Sequence, residues 1–469
     1  MAQGVVAVAA PMTVSHEPKP AAGQSEALPA EVRPIYAFIV FNALSYQVIL
    51  SSPMVLYAKT LGASATVLGI LAGMMPLLVI FQIPASKHLA RIGYKKFVFA
   101  GWGTRTLFVL GLALVPLTGM FLDKTTRLAL VLLLLFAFNL TRGITSCAWL
   151  PWITALIPET LRGRYLVRDA ASMNIGSFLV FNIAAIVLAV DPHAWQFAVL
   201  FAFSAAMAGI SLTFLRRVPD AQAPAEIKAS GTAVPWKEII TYPPFKKLVK
   251  MALAWSVAYG GLSTFVVAFL KTETGMSERE IMLLTSVSFI GGLSSLWLVG
   301  SRLDRLGSKP VLSVCMIVWI AILAGWVLIS GKFVHSHIVT LVLALEVAMG
   351  LGYSLVNMST TRLAMVVIPP MGRNHFFTYF SVVTNVTLGL APIFWGIFID
   401  ALKGFHGNWI NIEWNRFSLF FAAAGFVYII TLLLTSRVHE PKAASMEELL
   451  RDIWQQSPLR VWFRLWPRG

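Results

Sequence analysis

Charged residues and cysteines are both scarce in this chain of 469 residues. Only 12% of the residues are charged, whereas about a quarter are charged in an ordinary soluble domain. The chain therefore has too little charge to cover a water-facing surface, which excludes an ordinary soluble enzyme. The two cysteines, Cys147 and Cys315, lie in separate apolar runs. They predict no disulfide framework and no metal site, and we interpret them as small buried residues.

Apolar residues are abundant instead, at 57% of the chain with a mean hydropathy of +0.75. A helix that crosses the hydrocarbon core needs about 20 mostly apolar residues. Runs of this kind predict an all-α membrane protein with twelve transmembrane helices. The predicted spans are 34–57, 65–85, 97–120, 128–156, 170–190, 195–215, 247–270, 279–299, 310–331, 337–367, 376–401 and 415–436.

Lys and Arg are more frequent in the loops after even-numbered spans than in the opposite loops. Positive residues stay on the cytoplasmic side, so this bias predicts that both termini are cytoplasmic in a multi-pass protein of the inner, or plasma, membrane. The net charge of +16 is then a topology signal and requires no nucleic acid. We expect a monomer whose partners are the lipid bilayer, a small-molecule substrate and, in one version of the mechanism, protons.

The remaining segments predict how the domains are arranged. We expect a disordered cytoplasmic tail at 1–33, six-helix bundles at 34–215 and 247–436, a cytoplasmic linker at 216–246, and an amphipathic cytoplasmic tail at 437–469. The last prediction rests on a helix-capping spacing, Ser445 to Glu448, which is followed by apolar residues at helical steps and then by tryptophans and arginines.

The two predicted bundles repeat a sequence pattern. Gly62 and Ser64 precede the second span as Gly275 and Ser277 precede the eighth, an offset of 213 residues. A second match follows the fourth and tenth spans, where Ile-Pro at 157–158 corresponds to Ile-Pro at 368–369. Two matches at nearly one spacing predict parallel six-helix repeats related by an axis along the membrane normal.

The loop after the eighth span, residues 300–309, carries the pattern G-x-x-x-D-R-x-G-S-K. This pattern resembles the signature of the major facilitator superfamily of secondary transporters at all fixed positions except Ser308. The copy after the second span is degraded, since Ser86 and Ala90 replace its Gly and Asp. The resemblance covers about residues 34–436 and implies the major facilitator fold.

The same resemblance implies a cytoplasmic gate that holds the two halves together. Its candidate residues are Asp304, Arg305, Gly300, Gly307, Lys309, Arg91, Gly93 and Arg164. We expect Asp304 to face the start of the fifth span, where it could meet Arg164 or Arg168. The alternative is a solvated turn that only sets topology.

Polar residues follow one face on four of the predicted spans. Buried polar groups in hydrocarbon usually face a bundle interior or a water-filled cavity, and in the family that the chain resembles these four spans line the central cavity. The stripes comprise Asn42 and Tyr46 on the first span, Asn139, Arg142, Ser146 and Trp149 on the fourth, Ser256, Tyr259 and Ser263 on the seventh, and Glu346, Gly350, Tyr353 and Asn357 on the tenth.

Glu346 and Arg142 both lie near mid-membrane, and Glu346 is the carboxylate that we place in the hydrocarbon core. Such a group can change protonation as the cavity opens to each side in turn. The alternative is a fixed ion pair of Glu346 with Arg142 or Arg362 that only orders the bundle. We expect Arg105 to extend to the cytoplasmic face. Rings of Trp149, Trp255, Tyr259 or Tyr353 could stack on a substrate.

These patterns favour a secondary active transporter that moves a small organic solute by alternating access, with proton coupling through Glu346 left open. The cavity residues suit a sugar, a glycoside or an organic anion better than a cation. No nucleotide-binding loop is present in the sequence, and we predict no cofactor and no metal. The alternatives are a membrane-embedded enzyme for a lipid-like substrate and a receptor that kept the fold without transport. The direction of transport and the coupling ion stay open, and the missing Gly-Pro pair in the fifth span disfavours antiport without excluding it.

Overall fold

The computed structural model describes residues 33–157, 162–189, 191–221, 236–299, 307–333, 337–368, 373–409, 411–438 and 440. Each of the twelve predicted spans is formed by one or more helices, and spans 1 and 7 are interrupted at Ser51 and at Gly260 and Gly261. The predicted tail helix and the gate residues Gly300, Asp304 and Arg305 lie outside the described residues, as does the side chain of Arg164.

The first half contains six spans, some of them interrupted. Span 1 is formed by Arg33–Leu50 and Ser52–Thr60, span 2 by Ala65–Leu77, Leu78–Phe81 and Gln82–Ile92, span 3 by Tyr94–Leu114 and Val115–Met120, span 4 by Lys124–Leu156, span 5 by Arg162–Leu188 and span 6 by Ala194–Arg217. The 33 residues of span 4 exceed the length that a bilayer requires, as the sequence predicts.

The second half follows a short helix at Trp236–Thr241 and repeats the arrangement. Span 7 is formed by Pro243–Tyr259 and Leu262–Thr272, span 8 by Glu278–Val299, span 9 by Ser308–Ser330, span 10 by Ile338–Val367, span 11 by Arg373–Ala401 and span 12 by Arg416–Ser436. Between spans 11 and 12, strand β1 (Gly407–Trp409) pairs antiparallel with strand β2 (Ile412–Trp414), with Trp409 opposite Ile412.

Because the spans alternate in direction, the loops fall on two sides. We call the side that carries β1 and β2 the hairpin side, and the side that carries Gly93 and Gly307 the linker side. Among the described residues, eleven helices are long and apolar enough to cross a membrane. The helix of span 8 is not one of them; it begins with three charged residues, Glu278 to Glu280, and its last residues border a stretch that is not described.

Spans 1 and 7 are both broken beside the interface between the halves. The break in span 1 falls at Ser51, whose backbone is extended, and Pro53 starts the next helix. The break in span 7 falls at Gly260 and Gly261, and Gly261 has a φ of +77°, which L side chains rarely adopt. Broken helices leave backbone groups for a binding site, which membrane carriers often use.

Spans 2 and 11 contact each other across the interface through small residues. A Cβ atom at Gly73 would lie 2.2 Å from the carbonyl oxygen of Gly389, and one at Gly69 would lie 2.1 Å from that of Pro392. These positions therefore accept only glycine without a backbone shift. Small residues at helix interfaces allow backbones to approach closely in membranes, where packing drives association.

Candidate functional site

A cavity of about 670 Å³ lies between the two halves, bounded by residues of spans 1 to 5 and of spans 7, 8 and 10. This volume suits a small organic molecule, since ligand pockets typically measure about 300–1,000 Å³. Seven of the nine substrate-site residues predicted from the sequence line it: Asn42, Tyr46, Arg142, Trp149, Tyr259, Glu346 and Tyr353.

The other two predicted residues do not line this cavity. Asn139 is buried, and its side-chain amide donates a hydrogen bond of 2.9 Å to the carbonyl oxygen of Leu135 in the same helix. Asn357 is exposed and lies one turn beyond Tyr353, nearer the linker side. The stripe of span 10 therefore extends past the cavity toward the linker side, whereas Asn139 of span 4 bonds within its own helix.

Two arginines of the first half form a positively charged wall. Gly101 of span 3 packs on Thr145 of span 4, so the antiparallel helices place Arg105 and Arg142 at about the same depth. The guanidinium carbon of Arg105 lies 4.6 Å from the ring centre of Trp102 and 4.7 Å from that of Phe138. The expectation that Arg105 extends to the membrane surface is wrong, because these rings hold it against the cavity with 5% of the residue exposed.

Neither guanidinium has a hydrogen-bond acceptor or a counter-ion among the described residues. No hydrogen bond and no ion pair joins Arg105 or Arg142 to another described side chain or carbonyl group, and the Nε atom of Arg105 is buried without an acceptor. A buried cation without a counter-charge is costly, so both groups are available to an acceptor that enters the cavity.

Glu346 lines the cavity from the second half and is 4% exposed. Within the described part of the chain it forms no ion pair with Arg142 or Arg362, so neither fixed pair considered from the sequence is present. Arg362 instead lies 2.6 Å from Glu440. In the repeat, Tyr353 corresponds to Arg142, and Glu346 lies seven residues nearer the hairpin side, about 10 Å along the helix.

Aromatic rings face the cavity from both halves. The Tyr259 and Tyr353 rings stack at 4.8 Å, and the Trp102 and Trp149 rings lie 5.6 Å apart. Trp255 stacks on Tyr259 at 5.1 Å but does not itself line the cavity. Three of the four rings considered from the sequence therefore reach it.

Several neutral polar groups of the cavity already have protein partners. The Trp102 indole donates to Oδ1 of Asn42 at 3.1 Å, and Nε2 of Gln47 donates to Oγ of Ser177 at 2.8 Å. The Tyr46 hydroxyl lies 3.2 Å from the sulfur of Met173. Gln47 and Ser177 were not predicted as site residues; a search for polar side chains on span 5 could have found Ser177.

The cavity is closed by contacts between the halves on the hairpin side. The Asp400 carboxylate of span 11 accepts hydrogen bonds from the backbone amides of Ala65 and Thr66, at 3.0 and 2.8 Å, where span 2 begins. The amide of Arg279 donates to the carbonyl of Ala189 at 3.2 Å. The hydrogen bonds that join described residues of the two halves are on this side.

On the linker side, the predicted gate residues Gly93 and Gly307 occupy equivalent positions. Both have a φ of +85° and cap the starts of spans 3 and 9. Arg91 is exposed. The backbone amides of Ser308 and Lys309 donate to the carboxylate of Glu440, at 2.8 and 2.7 Å.

Glu440 was not predicted as a site residue, although the sequence contains a signal for it. Arg-Val-Pro-Asp at 217–220 after span 6 matches Arg-Val-His-Glu at 437–440 after span 12. Oδ1 of Asp220 correspondingly lies 3.4 Å from the amide of Lys95, at the start of span 3. The repeat therefore extends to the acidic residue that follows each bundle.

Two helical halves around a shared polar cavity define a membrane carrier rather than a channel or a soluble enzyme. The sequence model of the Major Facilitator Superfamily matches the chain twice, at residues 35–277 and 258–468. The chain belongs to the major facilitator superfamily, as its repeat and loop signature predicted. Members of this family are transporters and not enzymes, so the prediction that the chain is not an enzyme is confirmed.

Solved structures of the same fold include several transporters. The D-xylose-proton symporter is similar with a TM-score of 0.68 and 14% identity, over 88% of this chain and 99% of that one. The inward open xylose transporter XylE from E. coli gives 0.65 and 16%, over 89% and 98%. The nucleoside transporter NupG gives 0.60 and 14%, over 86% and 97%. No curated protein sequence matches the chain.

Proposed function

We propose that the chain is a secondary active transporter that moves a small organic solute by rocking its two halves about the central cavity. The observation that carries this proposal is the placement of the contacts. The cavity is lined by both halves, and the hydrogen bonds that join described residues of the two halves, including those from Ala65 and Thr66 to Asp400, lie on the hairpin side. Rupture of these contacts would open the cavity on the hairpin side. Alternating access requires that the cavity open to each side of the membrane in turn.

The orientation of this cycle follows from the charge bias of the loops. If the linker side is cytoplasmic and the protein lies in the inner membrane, as the sequence predicts, contacts on the hairpin side would belong to an inward-facing state. The domain boundaries expected from the sequence fit this cycle, in which each six-helix bundle moves as a unit and residues 216–246 tether them. Asp304 and Arg305 would then close the cytoplasmic side in the opposite state, as the family resemblance implies.

Glu346 is the proposed proton carrier. It is the carboxylate that lines the cavity among the described residues, and no described cation neutralises it. A carboxyl group that is buried in one state and wetted in the other would bind and release a proton as the cavity changes sides. Proton flow could then drive the solute in either direction.

Uptake into proteoliposomes tests both parts of this proposal. A panel of sugars and organic acids is measured with and without a pH gradient, together with exchange of labelled solute at equal pH on both sides. We expect the parent chain to accumulate at least one solute, with the pH gradient raising accumulation. Glu346→Gln should remove the effect of the gradient while exchange stays within about 3-fold, because a neutral amide cannot carry a proton.

Glu280→Gln is the matched control, because Glu280 is an exposed residue on the hairpin side that bonds only to Ser277. It should retain the gradient effect. An unchanged gradient effect in Glu346→Gln would remove the proton role and leave the carrier proposal in place. Absence of exchange for all solutes in the parent chain would contradict the carrier proposal itself.

A further inference from the structure

The charges and hydrogen bonds of the cavity identify the chemical class of its ligand; this inference rests on the proposed function. Groups already paired within the protein cannot recognise a ligand without losing those bonds. Oδ1 of Asn42 and Nε2 of Gln47 are paired in this way with Trp102 and Ser177. A sugar, which needs many neutral donors and acceptors, would find these groups occupied.

The charged donors of the cavity are unpaired among the described residues. Arg142 and Arg105 line the cavity at the same depth, and no acceptor among the described residues binds either guanidinium. Each presents several N–H groups in a planar fork that matches a carboxylate. Since both are positive, a cationic ligand would be repelled at this level, whereas an anion would supply the missing counter-charge.

The rings around these cations indicate the shape of the ligand. Trp102 and Phe138 cover the faces of the Arg105 guanidinium, which leaves its edge to hydrogen-bond. The paired rings of Trp102 and Trp149 lie on one wall, and the stacked rings of Tyr259 and Tyr353 lie on the other. A flat ring fits between such walls, because offset stacking stabilises aromatic pairs.

Glu346 is placed too far toward the hairpin side to neutralise these arginines, about 10 Å along the helix from their level. The anion site and the proposed proton site are therefore separate. We infer that the cavity binds a small organic anion, a carboxylate attached to a flat ring, with the carboxylate on Arg105 and Arg142 and the ring between the tryptophan and tyrosine pairs.

Binding of matched probes to the purified full-length protein tests this inference without requiring transport. Radiolabelled benzoate and phenylacetate are competed with benzamide, with benzylamine and with xylose. We expect either carboxylate to bind at least 10-fold more tightly than benzamide, and benzylamine and xylose to compete weakly. Benzamide has the shape of benzoate without its charge, so the ratio isolates the contribution of the anion.

Arg142→Gln and Arg105→Gln should each weaken carboxylate binding about 10-fold, equal to about 1.4 kcal/mol, and leave benzamide binding within about 2-fold. Arg142→Lys should recover part of the loss, because it keeps the charge but not the planar fork. Lys96→Gln, at an exposed residue on the linker side, is the matched control and should change nothing. Size-exclusion profiles show that the variants remain folded.

The inference is overturned if benzamide or xylose binds as tightly as the carboxylates, if no carboxylate binds at millimolar concentration, or if neither arginine variant alters carboxylate binding. These failures differ from failure of the carrier proposal. Tight carboxylate binding without uptake would support this inference and contradict the carrier, while uptake of a neutral solute without carboxylate binding would do the reverse.

Discussion

The two halves share a fold but differ in how their charged residues are paired. The ion pairs between described residues all lie in the second half: Lys271 with Glu278, Lys332 with Glu413, Arg362 with Glu440 and Arg416 with Glu273. The first half instead keeps Arg105 and Arg142 without described partners at the cavity. Among the described residues, the second half thus pairs four of its basic residues with its own carboxylates and leaves Glu346 unpaired at the cavity, whereas the first half leaves two cations available to a ligand.

The same asymmetry appears where equivalent helices begin on the linker side. Glu440 is 7% exposed, accepts from two successive backbone amides and pairs with Arg362 at 2.6 Å. Its counterpart Asp220 is exposed and makes one long contact of 3.4 Å with the amide of Lys95. One sequence pattern thus produces a buried cluster in one half and a weak surface cap in the other.

Neutralising the buried acid should give the largest effect on stability. We expect Glu440→Gln to lower the free energy of unfolding by about 3 kcal/mol, because Arg362 loses its ion pair with Glu440 and the start of span 9 loses a negative charge. Asp220→Asn should cost less than about 0.5 kcal/mol, as is usual for exposed sites. Unfolding of both purified variants in detergent measures the difference, and equal losses would contradict the asymmetry.

A change at the contact between the halves should have an intermediate effect on conformation. Asp400→Asn removes the charge that stabilises the start of span 2, at a cost of about 1 kcal/mol to the hairpin-closed state. This should raise the hairpin-open population about 5-fold. A cysteine at Ser52, which lines the cavity, reports that population through its labelling rate from the hairpin side in a background without Cys147 and Cys315.

Asp123→Asn is the matched control, because Asp123 caps span 4 on the same side but bonds only within the first half, to Thr125 and Thr126. It should leave the labelling rate unchanged. If both variants accelerate labelling equally, the Asp400 contact is not part of the closure.

The surface ion pair of the second half should give the smallest effect, visible only in its pH dependence. Lys332 lowers the pKa of Glu413 below its usual 4.5, so the pair is present above that pH and is lost as the pH falls through the lowered value. The amide of Glu413, which donates to the carbonyl of Gly331 at 2.9 Å, should lose hydrogen-exchange protection in that range. Glu413→Gln should abolish this pH dependence.

Hydropathy and helical periodicity predict much of this molecule. Runs of apolar residues give the twelve spans, and the repeated glycines at 93 and 307 locate equivalent helix starts because both need a positive φ. The stripes on spans 1, 4, 7 and 10 identify Arg142 and Glu346 as cavity residues, because exposing a charged group to lipid is costly and such groups face the bundle interior or a water-filled cavity.

Contacts between distant segments could not be predicted in this way. The position of Arg105 along span 3 predicts that its side chain reaches the membrane surface. The sequence does not show that Phe138 of the neighbouring helix contacts this side chain and holds it at the cavity. Asn139 shares the stripe of Arg142 yet bonds to its own helix, which an amide can always do. Asp400 caps a helix that begins 335 residues earlier, and no local pattern records that distance.

The glycine contact between spans 2 and 11 has a consequence for the motion of the protein. At Gly73 and Gly389 the two helices meet backbone to backbone, with the side chains of Leu77 and Ile393 packed beside the contact. Close backbone contact of this kind leaves little room for the two helices to separate without losing their packing. We therefore expect it to act as a fulcrum that persists throughout the cycle, so that the barrier to turnover arises from the polar contacts at either end.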